Sequence, residues 1–259
     1  MLNHLHALLG DLPIAALRLL AWLLVAALIF MPLERGLSLR QQTIPRSQWL
    51  ADIGWYFLSG LLPAFLLLFT TLPINALSRL LLPQAWLATV AEWPRLLAVV
   101  LTVVVGDFAY YWAHRWSHEW PGLWCFHVVH HQPKQVYWLV NTRVHPIDAV
   151  YTRTLVFVPV CLLGLSQAAP GQMDWIVLGA ALFNRVWSTF VHANVRIRLG
   201  AFENWFSSPR FHHWHHADEQ VPGPGKNYAA LLPLWDRLFG TEHPMDRFPH
   251  RYGVSSESS

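Results

Sequence analysis

Long apolar runs restrict the fold of this sequence most, because a run of about 20 apolar residues is long enough to cross a bilayer as a helix. A helix also closes its backbone hydrogen bonds internally, as lipid requires. The candidate runs are 13–32, 50–72, 95–113, 147–165 and 173–191. The last two predict a tight hairpin. We therefore expect an all-α, integral-membrane helical bundle of about four to five spans.

The composition favours the same class of protein. Of 259 residues, 54% are hydrophobic and 13% are charged, whereas soluble domains average about 25% charged residues. The basic residues are scattered, which argues against a nucleic-acid surface. Cys125 and Cys161 form neither a disulfide framework nor a Cys-x-x-Cys metal pair. We expect a single membrane domain over 1–259, with the N-terminal membrane spans in 1–95.

The Lys and Arg residues predict the orientation of the bundle, since cytoplasmic loops carry an excess of them. They occur at 33–48, at 114–146 and after 193, which share one side if the spans are as drawn. The hairpin tip at 166–172 has none. The sequence therefore predicts a multi-pass chain with a histidine-rich cap facing the cytoplasm. A compact chain without a C-terminal retrieval signal fits a bacterial inner membrane.

Three histidine clusters follow the third apolar run. They comprise His114 and His118; His127, His130 and His131; and His212, His215 and His216. Residues three and four apart share a helical face, so each cluster presents converging imidazoles. One tetrahedral zinc takes four ligands, and eight imidazoles therefore suit two ions. Because imidazole binds Zn, Cu, Fe and Ni, the ligand type leaves the metal open.

Other polar residues near the clusters have competing interpretations. Asp107 lies seven residues before His114, on the same helical face. With Tyr110 and Tyr111 it is predicted to line a substrate channel, or else to be satisfied against a neighbouring helix. His213 lies outside the His-x-x-His-His spacing, which favours a place behind the ligands or on the surface. Four histidines are expected to be solvated: His4, His6, His243 and His250.

The clusters and the sequence between them resemble the fatty acid hydroxylase and sterol desaturase superfamily over about residues 100–242. The boxes are His-Arg-x-x-His at 114–118 and His-x-x-His-His at 127–131 and 212–216. The run Asn141 to Asp148 resembles an Arg-x-His-Pro-x-acid element of the family. Asn227-Tyr228 and Leu234 to Thr241 resemble the segment that closes the family domain.

The resemblance implies a di-iron site, although zinc can occupy such sites in purified protein. It implies as ligands, and as the catalytic centre, His114, His118, His127, His130, His131, His212, His215 and His216. His192 matches a further family histidine. Some members have His-x-x-x-His there, but position 188 is Ser in this chain. His145 is a second candidate to fill the gap, as a ligand or in a supporting role.

Ligand histidines usually donate their other ring N–H to a nearby acceptor. The candidate acceptors behind the ligands are Glu119, Asp148, Asn194, Asn227 and Asp236. Glu119 directly follows a ligand. For Asp236, a helix-capping role or an ion pair with Arg237 is the alternative.

The expected activity is dioxygen-dependent hydroxylation, desaturation or ether oxidation of a lipid-like substrate: a fatty acyl chain, a sterol, an isoprenoid or an ether lipid. Two iron ions would be the cofactors and dioxygen a co-substrate. The chain has no Gly-x-Gly-x-x-Gly fingerprint and no iron–sulfur cysteine set, so a separate reductase or small carrier is expected to supply electrons. The basic tail with Arg196, Arg198 and Arg210 is a candidate docking site, or ordinary cytoplasmic-side charge.

Two other functions remain open from the sequence. A membrane zinc-dependent hydrolase would need no electrons, but the usual His-Glu-x-x-His helix is absent. A non-catalytic metal-binding or haem-binding membrane protein would place ligands at bilayer depth or pair them across spans. The clusters instead follow the spans.

Overall fold

The chain is almost entirely helical in a computed structural model, which describes residues 2–166, 175–219, 226–243 and 246–254. The α-helices are α1 Leu2–Gly36, α2 Arg46–Leu66, α3 Leu68–Leu81, α4 Gln84–Ala91, α5 Arg95–Glu119, α6 Pro121–His131, α7 Pro146–Leu162, α8 Trp175–His192, α9 Pro209–His215 and α10 Leu234–Leu238. Two 3-10 helices cover Trp138–Thr142 and Gly200–Asn204. Within the described ranges, extended pairing is limited to two isolated bridges. The all-α prediction is confirmed.

Among the described residues, three helices are long and apolar enough to cross a membrane: Asp11–Gly36 within α1, α2 and α5. They overlap the first three predicted spans. The predicted hairpin corresponds to α7, of 17 residues, and α8, of 18 residues. Neither is among the three candidate spans. The predicted tip at 167–172 lies outside the described residues, so four to five spans stays a prediction.

The second span is shorter than predicted. Its apolar run extends to residue 72, but α2 ends at Leu66 and α3 begins at Leu68. The interruption follows Pro63, which cannot donate a backbone hydrogen bond and commonly bends a helix. Just beyond it, the hydroxyls of Thr70 and Thr71 donate to the Leu67 carbonyl at 3.2 and 2.7 Å. Side-chain bonds of this kind often accompany a bend.

Large apolar side chains are exposed along α1 from Leu12 to Ile29, as expected for a lipid-facing helix. Leu17 is 64% exposed and Leu28 77% exposed, which an aqueous surface would not favour along a whole helix. Toward its C-terminal end, α1 enters the interior. There Ala26 and Phe30 pack against Trp138 and Val195. The core therefore lies where α1 meets the segments outside α7 and α8 that follow α5, which we call the cap.

The cap is tied to α5 through a carboxylate. Asp107 accepts hydrogen bonds from the backbone of Leu231 and Leu232 at 3.1 and 3.0 Å, and from Trp235 Nε1 at 2.9 Å. Asp107 therefore holds the segment before α10 against α5. The same helix carries His114 and His118 at its C-terminal end.

Candidate metal centre

Nine histidines converge in two adjoining groups. The first group is His114, His118, His127, His131 and His215; the second is His130, His192, His212 and His216. Within each group, the candidate ligand atoms all lie within 4.8 Å of one another. All are buried except His118, which is partly buried. The box spacing explains the convergence, since α5, α6 and α9 each present histidines three or four residues apart on one face.

The first group has the unpaired atoms that a metal would satisfy. The Nε2 atoms of all five members are buried and lack a hydrogen-bond partner. Buried polar atoms are rarely left unpaired, because each costs free energy without a partner. A cation bound among these nitrogens would remove that cost. The donor set therefore fits a metal ion.

The second group fits a metal for a different reason. His130 Nδ1 donates to the Arg143 carbonyl at 3.2 Å, and His192 Nδ1 donates to the Ser188 carbonyl at 2.8 Å. A neutral imidazole that donates through Nδ1 has a lone pair on Nε2. The two Nε2 atoms nevertheless lie 3.2 Å apart. Two facing lone pairs repel each other, and a shared cation would relieve that repulsion.

The remaining ring contacts of the second group are equally close. His212 Nε2 lies 2.9 Å from His192 Nε2 and 3.2 Å from His216 Nε2. His212 Nδ1 is buried without a partner. Four imidazoles crowded together in this way match a four-coordinate or open metal site.

Acceptors behind the first group fix which nitrogen faces inward. His127 Nδ1 lies 2.9 Å from Asp148 Oδ2. His114 Nδ1 donates to the Tyr228 carbonyl at 2.7 Å, and His215 Nδ1 donates to the Lys226 carbonyl at 2.8 Å. Contacts of this kind set the tautomer and orient the ring of a metal ligand.

Burial keeps the ligands in the form that metals bind. It lowers the pKa well below the usual 6.5, with neighbouring imidazoles adding to the shift, for His130, His131, His212, His215 and His216. These rings are therefore neutral at pH 7. Metal ligation requires neutral imidazole.

The structure thus brings together the eight box histidines and His192. It places His145 elsewhere, at the N-terminus of α7, where its Nδ1 accepts from the Ile147 backbone at 3.2 Å. The His145 ring packs near Phe126 and Trp55, and His145 belongs to neither group. Its place follows from chain geometry, because Pro146 begins the helix directly after it.

The predicted acceptors have different partners in the structure. Asp148 does contact a ligand ring. Glu119 is exposed and pairs with Arg115 at 2.7 Å, four residues earlier on α5. Glu119 points away because successive helix positions differ by about 100°, so it does not share a face with His118.

The other three predicted acceptors form hydrogen bonds with backbone groups and not with ligand rings: Asn227, Asp236 and Asn194. Asn227 Nδ2 donates to the Phe211 carbonyl at 3.0 Å, which anchors α9. Asp236 accepts from the backbone of Tyr228 and Ala229, at 2.8 Å each. That segment carries the carbonyls that orient His114 and His215. Asn194 accepts from the Arg40 backbone at 3.2 Å.

Two of the three predicted channel residues, Asp107 and Tyr111, form hydrogen bonds that hold the fold together. Asp107 anchors the segment before α10, as its alternative interpretation held. Tyr111 is fully buried, and its hydroxyl lies 2.8 Å from Thr241 Oγ1. The Tyr110 ring lies 5.3 Å from the His114 ring, so Tyr110 is the member of the three beside the centre.

Two contacts near the centre were missed by the sequence interpretation. Arg143 forms an ion pair with the buried Asp52 of α2 at 2.9 Å, while Tyr137 donates to the other Asp52 oxygen at 2.7 Å. Since the Arg143 carbonyl accepts from His130, this ion pair links α2 to the second group. An acidic residue inside an apolar run was the available signal.

The partners of His213 are the other feature that the sequence did not predict. It is fully buried, with Nδ1 2.7 Å from the Tyr252 hydroxyl and Nε2 donating to the Ala193 carbonyl at 3.1 Å. The prediction of a place behind the ligands fits this position, and the surface alternative does not. His213 thereby fixes α9 between the end of α8 and the C-terminal segment.

Fold and site together define a helical membrane protein with a paired histidine centre. A family model described as fatty acid hydroxylase matches residues 99–241, more than half of the chain. The chain belongs to the fatty acid hydroxylase family.

Curated relatives share the same region. Ornithine lipid hydroxylase OlsE of Rhizobium tropici is 38% identical over 153 residues, covering 59% of this chain and 44% of that protein. Alkylglycerol monooxygenase of Homo sapiens is 31% identical over 135 residues, covering 52% of this chain and 28% of that protein. The match thus spans less than half the length of these relatives. No solved structure matches the chain.

Proposed function

We propose that this protein is a dioxygen-dependent di-iron hydroxylase of a membrane lipid. The observation that carries the proposal is the pair of adjoining histidine groups, with buried and unpaired ring nitrogens, at the end of a membrane-spanning helix. Relatives named as a lipid hydroxylase and an alkylglycerol monooxygenase favour oxygen insertion over desaturation. Fatty acyl, sterol, isoprenoid and ether lipids are the candidate substrates.

Each histidine group would hold one iron. Two bound irons supply the redox chemistry that reduces dioxygen and oxidises a C–H bond of the substrate. The chain itself contributes orientation, since Asp148 and the carbonyls of Tyr228, Lys226, Arg143 and Ser188 fix the inward-facing nitrogens. Burial keeps bulk water away from the centre. His145 is not included in the proposed ligand set.

The lipid substrate would reach the centre from the bilayer. α5 is a candidate span and carries two ligands at its C-terminal end, so the centre lies beside the membrane. Tyr110 stands one turn before His114 and would border the reacting part of the substrate. Following the distribution of Lys and Arg, we place the centre on the cytoplasmic side of the membrane. A separate electron-carrying protein would reduce the irons there. A bacterial inner membrane stays a prediction.

The experiment supplies purified protein with iron, a reductase–carrier pair and candidate membrane lipids, and measures dioxygen uptake and product mass. A product heavier by one oxygen atom, carrying label from labelled dioxygen, is expected for wild type. His130→Ala and His215→Ala remove one ligand from each group and should abolish it. His250→Ala is the matched control, because that side chain is exposed and belongs to neither group.

Other outcomes contradict the proposal in distinguishable ways. A product that has lost two hydrogens, with no added oxygen, would identify a desaturase. Stable zinc, with ester or amide cleavage and no dioxygen uptake, would identify a hydrolase. Full activity in both ligand variants would exclude the histidine groups as the reaction centre.

A further inference from the structure

A cavity of about 850 Å³ lies between α1, α2 and α8, apart from the metal centre. Its apolar wall includes Leu12, Leu19, Leu61 and Phe65, and its charged residues are Asp11, Arg18 and Arg185. On α1 the lining ends at Trp22, whereas Glu34 contacts the backbone of Trp138 and Asn194 beside the centre. Twelve helical residues separate Trp22 from Glu34, about 18 Å of helix.

The charges in this cavity do not balance. Arg18 and Arg185 are matched by one carboxylate, Asp11. Outside the lining, Arg153 of α7 lies close enough to Arg185 for their like charges to repel. In the part of the chain that the structure describes, none of these arginines lies within 4.0 Å of a carboxylate oxygen. Cations among membrane helices are costly unless something pairs with them.

Neutral contacts orient Arg185 without compensating its charge. Its guanidinium lies over the Trp22 ring, 5.0 Å from the centroid, and its Nη2 lies 3.5 Å from the Tyr56 hydroxyl. That hydroxyl donates to the Leu19 carbonyl at 2.7 Å, so it presents lone pairs to the guanidinium. Arg185 is thus held at the cavity, with donors left for an anion.

We propose that this cavity binds an anionic phospholipid, with its phosphate between Arg18 and Arg185 and an acyl chain along the leucine wall. A guanidinium matches the geometry of a phosphate, and its charge supplies the missing balance. The volume falls in the range of ligand pockets, about 300–1,000 Å³. The surrounding bilayer supplies phospholipid directly. This site shares no lining residue with the two histidine groups, and the proposal does not depend on the proposed reaction.

The test is thermal unfolding of the purified protein in a neutral detergent, during titration with phosphatidylglycerol or phosphatidylcholine of identical chains. Phosphatidylglycerol should raise the unfolding temperature at lower concentration. Arg18→Gln should raise the half-saturating concentration of phosphatidylglycerol about tenfold, as expected for a lost charge-assisted hydrogen bond. Arg79→Gln is the matched control, since Arg79 of α3 is exposed and outside the cavity.

A second variant tests the cavity volume independently of the arginine charges. Ala64 lines the apolar wall, so Ala64→Trp would fill it while keeping both arginines, and should also remove the response. Equal stabilisation by the two lipids, or an unchanged response in Arg18→Gln or Ala64→Trp, would overturn the proposal. An Arg18-dependent response to oleate but not to phosphatidylglycerol would overturn the phospholipid assignment. Metal content should stay at the wild-type level in all three variants.

Discussion

The contact between His127 and Asp148 shows how one residue determines the direction of a metal-binding nitrogen. Both side chains are buried, and Asp148 Oδ2 lies 2.9 Å from His127 Nδ1. The proton on Nδ1 leaves the Nε2 lone pair directed into the first group. A carboxylate in this position also makes the ring a stronger ligand.

Asp148→Asn should weaken metal binding while preserving the fold, because the amide is a weaker acceptor of similar size. We expect metal affinity to fall by about tenfold or more, measured by competition with a metal-sensitive dye. Glu119→Gln is the control, because Glu119 is exposed and paired with Arg115. An equal loss in both variants would contradict the assigned roles.

The position of a residue could be predicted from the sequence when its partners are close to it along the chain. The box histidines were predicted because residues three or four apart lie within about one helix turn of each other. Asp107 was harder, since its backbone partners lie more than 120 residues along the chain. His145 lies away from the centre because α7 begins at Pro146. That local signal was available in the sequence, but the family resemblance favoured His145 as a candidate ligand. Ser188 marked a missing histidine, and its carbonyl in fact orients His192.

At the scale of elements, short segments outside the spans hold the ligands in place. The segment from Lys226 to Ala229 supplies two carbonyls to ligand rings and is fixed by Asp236. Burial raises the pKa of Asp236, and its hydrogen bonds oppose that rise. Sequence resemblance located this segment but did not show which of its groups contact the centre.

Asp236→Ala should destabilise the protein, because two buried backbone N–H groups lose their acceptor. We expect a loss of about 2–4 kcal/mol in the free energy of unfolding, measured by denaturant titration in detergent. Metal occupancy should fall as well. Leu238→Ala, an exposed position on the same short helix, should leave both values near wild type. Unchanged stability in Asp236→Ala would contradict this role.

The C-terminal segment fixes α9 from the other side. Tyr252→Phe would leave His213 Nδ1 without its hydroxyl partner, and should cost about 1–3 kcal/mol of unfolding free energy. Arg251→Gln, at an exposed neighbouring side chain, is the control in the same denaturation assay. If the two variants unfold alike, the His213–Tyr252 contact does not stabilise the cap.

At the scale of the whole molecule, the helical class and the first three spans were predictable because bilayer thickness fixes helix length. The packing of α7 and α8 against these spans was not, since it depends on contacts distant in sequence. Nine imidazoles from α5, α6, α8, α9 and the residue after α9 then come together. Their mutual crowding couples metal binding to the fold.

Removal of metal should therefore lower the stability of the whole protein, because a ligand that binds the folded state stabilises it by mass action. A strong chelator should lower the unfolding temperature of the metal-loaded protein by several degrees, and added iron under anaerobic conditions should restore it. The chelator should lower the unfolding temperature less in His131→Ala, which lacks a ligand, than in His250→Ala, which keeps all of them. An unfolding temperature insensitive to the chelator would contradict the coupling.

The number of metal ions bound per chain tests whether the two histidine groups form a paired metal centre. Metal-free protein would be titrated anaerobically with ferrous iron, and bound iron would be counted by elemental analysis after removal of the free ion. We expect two irons per chain, one in each histidine group, with about one remaining in His192→Ala. A single iron in the wild type, or none, would contradict the paired centre.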